Sequence, residues 1–325
     1  MTWLKKKFEA TPKLASILTI YALLLIVFLV MCAYSETYRS VYNITNMIAQ
    51  CMPLACVAMG QTVVIISGGI DLSVGSAISV CTVVAAKLMN TDNPIELAAG
   101  VLAVLATGLA VGAVNGYGVH YLRVPPMITT LCTSTMLSGI ALGILPMAGG
   151  KINKLFAKFV YQKWDVISMP LIIMLVLFLI LRWFLYKTRS GVSIYAIGQN
   201  KQIARTMGVK VRKTGMKVFL VCGLCAAITG LLLACRMRVG DPTCGTSYSM
   251  DSITAAVIGG TAMTGGMGLL SGTIAGALLV GMLSNIMNIL AVNQFYQYVF
   301  KGGLLVAAMV IYSISNLLEG KRHER

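Results

Sequence analysis

The chain has 325 residues, of which 58% are hydrophobic and 11% charged, with a mean hydropathy of +0.84 and a formal net charge of +16. A soluble domain carries roughly 25% charged residues, so this composition excludes a water-soluble globule: there is too little polar surface to cover it. The positive excess does not indicate nucleic acid, because the basic residues fall between apolar runs, where they set membrane topology.

In chain order, the first run spans 14–33 and follows Lys5, Lys6, Lys7 and Lys13. Its 20 residues exceed the roughly 7 to 15 of a signal-peptide core and suit a retained first helix. Nine further segments follow at about 44–66, 72–89, 96–120, 126–147, 166–186, 217–235, 252–264, 269–290 and 297–316. The third and eighth are short. Residues 252–300 contain no Asp, Glu, Lys, Arg or His; a stretch this long must fold back, and Gly265, Gly266 and Gly268 mark the place. The expectation is an all-α, polytopic bundle of about ten spans forming one domain over 1–325.

Eight basic residues and no acidic one lie within 187–217. Basic loops stay cytoplasmic, and an even span count then places both termini on that side with them. The loop 148–167 breaks the rule: the count puts it outside, although it carries Lys151, Lys154, Lys158 and Lys163. Those lysines either contact lipid headgroups or steer an acidic docking partner.

Between the second and third segments runs Gly68-Gly69-Ile70-Asp71-Leu72-Ser73-Val74-Gly75. Asp71 and Ser73 either cap the next helix or line a path through the membrane, since intramembrane carboxylates need partners. Gly265-Gly266 and the residues after it match this run at both glycines, the leucine, the last glycine and the hydroxyl. That is a candidate for two pseudo-repeated halves. Gln61, Asn115, Asn285, Asn288 and Gln297 are amides inside apolar segments, which bond another helix or line a polar path. Gly108, Gly112 and Gly116 recur every fourth residue and let helices approach closely. Few intramembrane charges weigh against an ion-coupled pump. The nine cysteines sit mostly in apolar runs as small hydrophobes.

In the basic loop, Gly198-Gln199-Asn200-Lys201-Gln202-Ile203-Ala204-Arg205-Thr206-Met207-Gly208 predicts a short helix capped by Asn200 and ended by Gly208. Gly149-Gly150-Lys151 lacks the rest of a phosphate-binding P-loop, so ATP chemistry belongs to another chain.

The Gly68–Gly75 run, Val124-Pro125-Pro126-Met127-Ile128-Thr129-Thr130-Leu131, the Ala196-Ile197-Gly198-x-Asn200 to Gly208-Val209 loop, and Ala256-Val257-Ile258-Gly259-Gly260-Thr261 together resemble the ribose, galactose and xylose permeases of bacterial ABC importers. The resemblance implies a type II importer architecture, of the vitamin B12 permease kind, in the inner membrane. It implies import of a pentose or hexose with three partners: an ABC ATPase subunit that binds ATP and Mg, an extracytoplasmic sugar-binding protein, and a second permease copy or paralogue. It also implies that Gly198, Asn200, Ala204, Arg205 and Gly208 belong to the helix seated in the ATPase. Ile203 and Lys201-Gln202 depart from the family's commoner residues there. A permease for another polar metabolite, a nucleoside or branched-chain amino acid, and more distantly a secondary transporter, are the alternatives.

Overall fold

The structure, a computed structural model, describes residues 12–164 and 167–323. Lys5 to Lys7, used above to orient the chain, lie outside the described residues. In order, the elements are α1 (Pro12–Tyr34), α2 (Glu36–Arg39), α3 (Val41–Ile66), α4 (Val74–Leu88), α5 (Pro94–His120), α6 (Pro126–Ile144) and α7 (Lys154–Val160). A two-stranded hairpin follows, β1 (Lys163–Trp164) against β2 (Ile167–Ser168), antiparallel with Lys163 opposite Ser168. Then come α8 (Met169–Lys187), α9 (Arg189–Gln199), α10 (Lys201–Thr206), α11 (Val211–Met237), α12 (Tyr248–Ile258), α13 (Leu270–Ile289) and α14 (Gln294–His323).

All ten expected segments are helical, but the count of about ten spans is corrected. Among the described residues six helices are long and apolar enough to cross a bilayer: α3, α5, α6, α8, α11 and α13. At 1.5 Å per residue a span needs about 20 residues, whereas α4 has 15 and α12 has 11. Apolar runs of that length are equally served by burial inside a bundle, which is where α4 lies, with most of its residues enclosed by α5, α6 and α11. The type II architecture that the resemblance implied is corrected with it.

The centre of the bundle is α3, whose residues 51–66 are buried without exception. It packs on α11, α12 and α13, and α11 packs in turn on α5. Apolar side chains gain little from leaving lipid, so close backbone approach must hold the helices together. The glycine ladder of α5 supplies it: a methyl group at Gly108 would strike the Gly223 carbonyl oxygen, one at Gly223 the Gly108 carbonyl oxygen, and one at Gly112 the Phe219 carbonyl oxygen. A second seam joins α13 to α12, where Gly272 lies against Gly259 and Gly276 against the Ala255 carbonyl.

The segment between α11 and α12 enters the bundle without being helical. Its backbone groups are met from α4: the Thr82 hydroxyl donates to the Asp241 carbonyl (2.9 Å), and the Gly245 N–H donates to the Ser79 hydroxyl (3.0 Å). Irregular backbone survives at such depth only when protein replaces water as its partner.

The seam between α5 and α11 gives a direct test. Gly108→Leu should separate the two helices and lower stability by about 1–3 kcal/mol or more, as overpacking does. Thermal unfolding in detergent micelles should fall clearly for Gly108→Leu and hardly at all for Gly139→Leu, since a side chain at Gly139 meets open space.

Candidate functional site

At one end of the bundle α3 and α12 both stop at a glycine in the left-handed conformation. Gly68 has φ +83°, with the Gly69 N–H donating to the Val64 carbonyl (3.1 Å); Gly260 has φ +83°, with the Thr261 N–H donating to the Ala256 carbonyl (3.0 Å). This is the Schellman pattern that closes orphan carbonyls at a helix end. The two breaks touch. The Gly266 N–H donates to the Ile66 carbonyl (2.8 Å), and a side chain at Gly265 would lie 3.0 Å from the Gly68 Cα.

The carboxylate of Asp71, 2% exposed, sits just beyond the first break. Its Oδ1 accepts from the Ser73 N–H (2.9 Å) and the Ser73 hydroxyl (2.7 Å), opening α4 as a turn cap does. Asn115, on α5, donates through Nδ2 to the Ser73 hydroxyl (2.7 Å) and lies 3.5 Å from Asp71 Oδ2. The Gln61 amide, oriented by its neighbours, donates to the Asp71 carbonyl and accepts from the Asp71 N–H, both at 3.2 Å. Thr130 on α6 and Ser249 on α12 complete the brace: the Leu72 N–H donates to the Thr130 hydroxyl (3.1 Å), and the Ser249 hydroxyl donates to the Leu72 carbonyl (3.0 Å).

The remaining candidate path residues lie elsewhere. Asn285 on α13 forms a reciprocal amide pair with Asn43 on α3 (3.1 and 3.3 Å). Gln297 on α14 donates to Asn288 Oδ1 and to the Val292 carbonyl, both at 3.0 Å. Asp71, Ser73 and Asn115 are thus one enclosed cluster, and Asn285, Asn288 and Gln297 belong to contacts near the opposite end of α13. Beside Asn285 opens a cavity of about 170 Å³ lined by Gln50, Arg236, Ser284, Asn285, Asp251 and Lys301, among others.

Sequence reasoning missed the last two. Lys301 Nζ lies 2.8 Å from Asp251 Oδ2, with side chains 22% and 11% exposed. These are the charges that flank the uncharged stretch 252–300; a stretch that must fold back brings its two ends together, and that was the available signal.

At the end bearing the glycine breaks, α9 and α10 pack beneath them. A Cβ on Gly198 would collide with the Ile66 carbonyl and the Gly266 N–H, and the Tyr195 hydroxyl donates to the Gly268 carbonyl (2.9 Å). The Asn200 side chain accepts from the N–H groups of Gln202 (2.9 Å) and Ile203 (3.0 Å). Gly208, at φ +82°, ends α10 while the Val209 N–H donates to the Ala204 carbonyl (3.0 Å). Ala204 is buried beneath α10, whereas Lys201, Ile203, Arg205 and Met207 are exposed, Ile203 and Met207 at 60% and 80%. α10 and its C-cap thus present an exposed apolar pair flanked by cations.

Lys151, Lys154, Lys158 and Lys163 all lie exposed at the opposite end of the bundle. Lys154 and Lys158 stand on α7, which also exposes Leu155 and Phe159, and Lys163 donates to Asn46 Oδ1.

If the Asp251–Lys301 pair is what ties α14 to α12, Lys301→Met alone should destabilise the protein by up to about 3 kcal/mol by stranding a carboxylate. Adding Asp251→Leu should recover most of that loss in thermal unfolding. Additive losses in the double variant would show that the pair is not coupled.

Residues 43–309 match the family model described as "Branched-chain amino acid transport system / permease component". The ribose import permease of Escherichia coli strain K12 is 34% identical over 295 residues, covering 89% of this chain and 91% of the relative. The D-allose transport system permease of the same strain is 35% identical over 280 residues, covering 85% of each, and its L-arabinose transport system permease is 34% identical over 255 residues, covering 78% and 77%. No solved structure matches. With six long apolar spans among the described residues, the architecture goes with these permeases and not with the ten-span type II arrangement expected earlier. A membrane bundle without a P-loop, matched along most of its length to transport components, is a transport subunit, and the chain belongs to the ABC permease family of sugar and branched-chain amino acid importers.

Proposed function

We propose that this permease imports a pentose or hexose monosaccharide across the cytoplasmic membrane, receiving it from an extracytoplasmic binding protein and driven by ATP hydrolysed, with Mg, on a separate ABC ATPase subunit. The substrate class follows the relatives, which are permeases for ribose, D-allose and L-arabinose. Amides, hydroxyls, the Asp251–Lys301 pair and the Arg236 guanidinium around the cavity beside Asn285 supply the donors and acceptors that a polyhydroxylated solute needs. Asn285, Asn288 and Gln297 are the path residues on this reading. The Asp71, Ser73 and Asn115 cluster holds the helix break that shapes the path. A second permease copy or paralogue completes the membrane part.

The observation that carries the mechanism is the contact of Gly198 with both helix breaks. A push on α10 by the ATPase reaches Ile66 and Gly266 through α9 without an intervening flexible side chain, and stiff elements transmit rigid-body shifts. Gly198, Asn200, Ala204, Arg205 and Gly208 are then the coupling residues: Ala204 packs the helix down, Asn200 and Gly208 fix its ends, and Arg205 faces the ATPase. Both termini and residues 187–217 are cytoplasmic in this orientation, and Lys151, Lys154, Lys158 and Lys163 meet acidic residues of the binding protein outside.

Uptake of radiolabelled sugar should be lost in Gly208→Pro, because proline cannot adopt φ +82°, and strongly reduced in Arg205→Glu. Both variants should still insert, and the ATPase should turn over without transport or fail to bind. Normal uptake in both removes the coupling role. Orientation is tested by Arg205→Cys in a Cys132→Ser background: a membrane-impermeant maleimide added to intact cells should leave position 205 unlabelled.

Replacing the four lysines of the opposite end by glutamine should weaken the apparent affinity for binding protein at low salt, with the gap closing as salt screens exposed charge over about 8 Å at physiological ionic strength. Binding-protein-stimulated ATPase activity in the reconstituted complex reads this out. An affinity unchanged at low salt assigns the lysines to headgroups.

A further inference from the structure

A cavity of about 430 Å³ opens where α5 ends and α6 and α11 begin, beside α10. Arg123, Arg205 and Arg212 line it, together with Lys201 and His120. A neighbouring recess shares the three arginines and adds Lys210 and Lys213. No carboxylate is paired with Arg123, Arg205, Arg212 or Lys201: the ion pairs among the described residues are Arg39–Glu36 and Lys301–Asp251. His120 is 9% exposed and its Nε2 has no hydrogen-bond partner. So many like charges converging without a counter-ion repel one another and hold the site ready for an anion.

The backbone supports the same reading. Arg123 has φ +62°, a left-handed conformation that costs a non-glycine residue of order 1–3 kcal/mol.

The depth of the cavity identifies the anion. It lies between the ends of three helices long and apolar enough to cross a bilayer, and the ends of such helices fall near headgroup level. Tyr117 and Tyr121 stack at 5.4 Å on the same rim, half exposed, with the Arg212 guanidinium 5.9 Å from the Tyr121 ring and Leu122 62% exposed beyond them. Aromatic rings beside a cation are the pattern of headgroup depth, and basic recesses between membrane helices take anionic headgroups. The surface that points away from the bundle on α10, Ile203 and Met207, is separate from this rim.

We propose that this cavity binds the phosphate of an anionic phospholipid headgroup, with Arg123 and Arg212 as its principal ligands and the acyl chains lying along Tyr117, Tyr121 and Leu122. The site needs only that this end of the bundle lie at headgroup level, so it stands apart from the choice of sugar. Because Arg205 and Lys201 reach the same cavity from the proposed coupling helix, the bound lipid braces that helix against α5.

The test uses the full-length permease in detergent, titrated with phosphatidylglycerol, phosphatidylcholine or inorganic phosphate and followed by native mass spectrometry. Phosphatidylglycerol should bind as a discrete adduct and phosphatidylcholine should not. The Arg123→Gln/Arg212→Gln double variant should weaken phosphatidylglycerol binding about tenfold or more, given the worth of a basic residue near the headgroups. Lys154→Gln/Lys158→Gln removes the same charge at the opposite end and should change it by less than about twofold. Arg123→Lys/Arg212→Lys should restore most of the affinity, and thermal unfolding of each variant separates loss of the site from loss of the fold. Equal weakening by both glutamine pairs would reduce the effect to net charge and overturn the site. Displacement of the lipid by an equimolar amount of inorganic phosphate would assign the cavity to free phosphate instead. If the Arg123→Gln/Arg212→Gln variant keeps its lipid but no longer copurifies with the ATPase subunit, the cavity receives acidic residues of that partner and the lipid proposal fails.

Discussion

In hydrocarbon a peptide group without a partner costs several kcal/mol, and the rest of this structure follows from how two interrupted helices meet that demand. At Gly68 and at Gly260 the chain leaves the helix side by side at one end of the bundle. Each end closes its own carbonyls with a left-handed glycine, and what remains is satisfied across the gap, the Gly266 N–H on the Ile66 carbonyl. Only glycine allows backbone to approach backbone this closely. Once the breaks are paired, the short helices α4 and α12 can start and stop within the membrane layer, and the polar residues that brace them have fixed addresses.

What was legible in the sequence was local. Asn200 and Gly208 announce a short helix because capping depends on residues three or four apart, and the glycine ladder of α5 announces a close helix contact for the same reason. The apolar runs locate the helices well. Whether a run crosses the bilayer or ends inside the protein depends on what surrounds it, and no window along the chain contains that; Val74–Leu88 reads like a span and is an enclosed half-helix. The apparent repeat shows the same limit. Matching letters aligned Gly68-Gly69 with Gly265-Gly266, whereas the glycine that ends α12 as Gly68 ends α3 is Gly260, and the matched pairs turn out to be neighbours in space.

The candidate site divides along that line. That Asp71, Asn115 and Asn285 needed partners followed from their chemistry; which partners they found did not. Asn43, the mate of Asn285, lies 242 residues away and carries no mark of its own. Ser249 and Thr130, which hold the backbone after Asp71, are ordinary residues made important by position.

The ion pair between Asp251 and Lys301 has a consequence for how the protein is made. A lone charge at the middle of the bilayer costs roughly 2.5–3.5 kcal/mol on the scale that describes helix insertion. The two charges are separated by two turns of direction and by all of α13, so α12 reaches the membrane with an unneutralised carboxylate well before its counter-charge has been synthesised. Only when α12, α13 and α14 settle together is that carboxylate neutralised by Lys301. Residues 248–323 are on this view a single biogenetic unit, clasped shut by one charged contact.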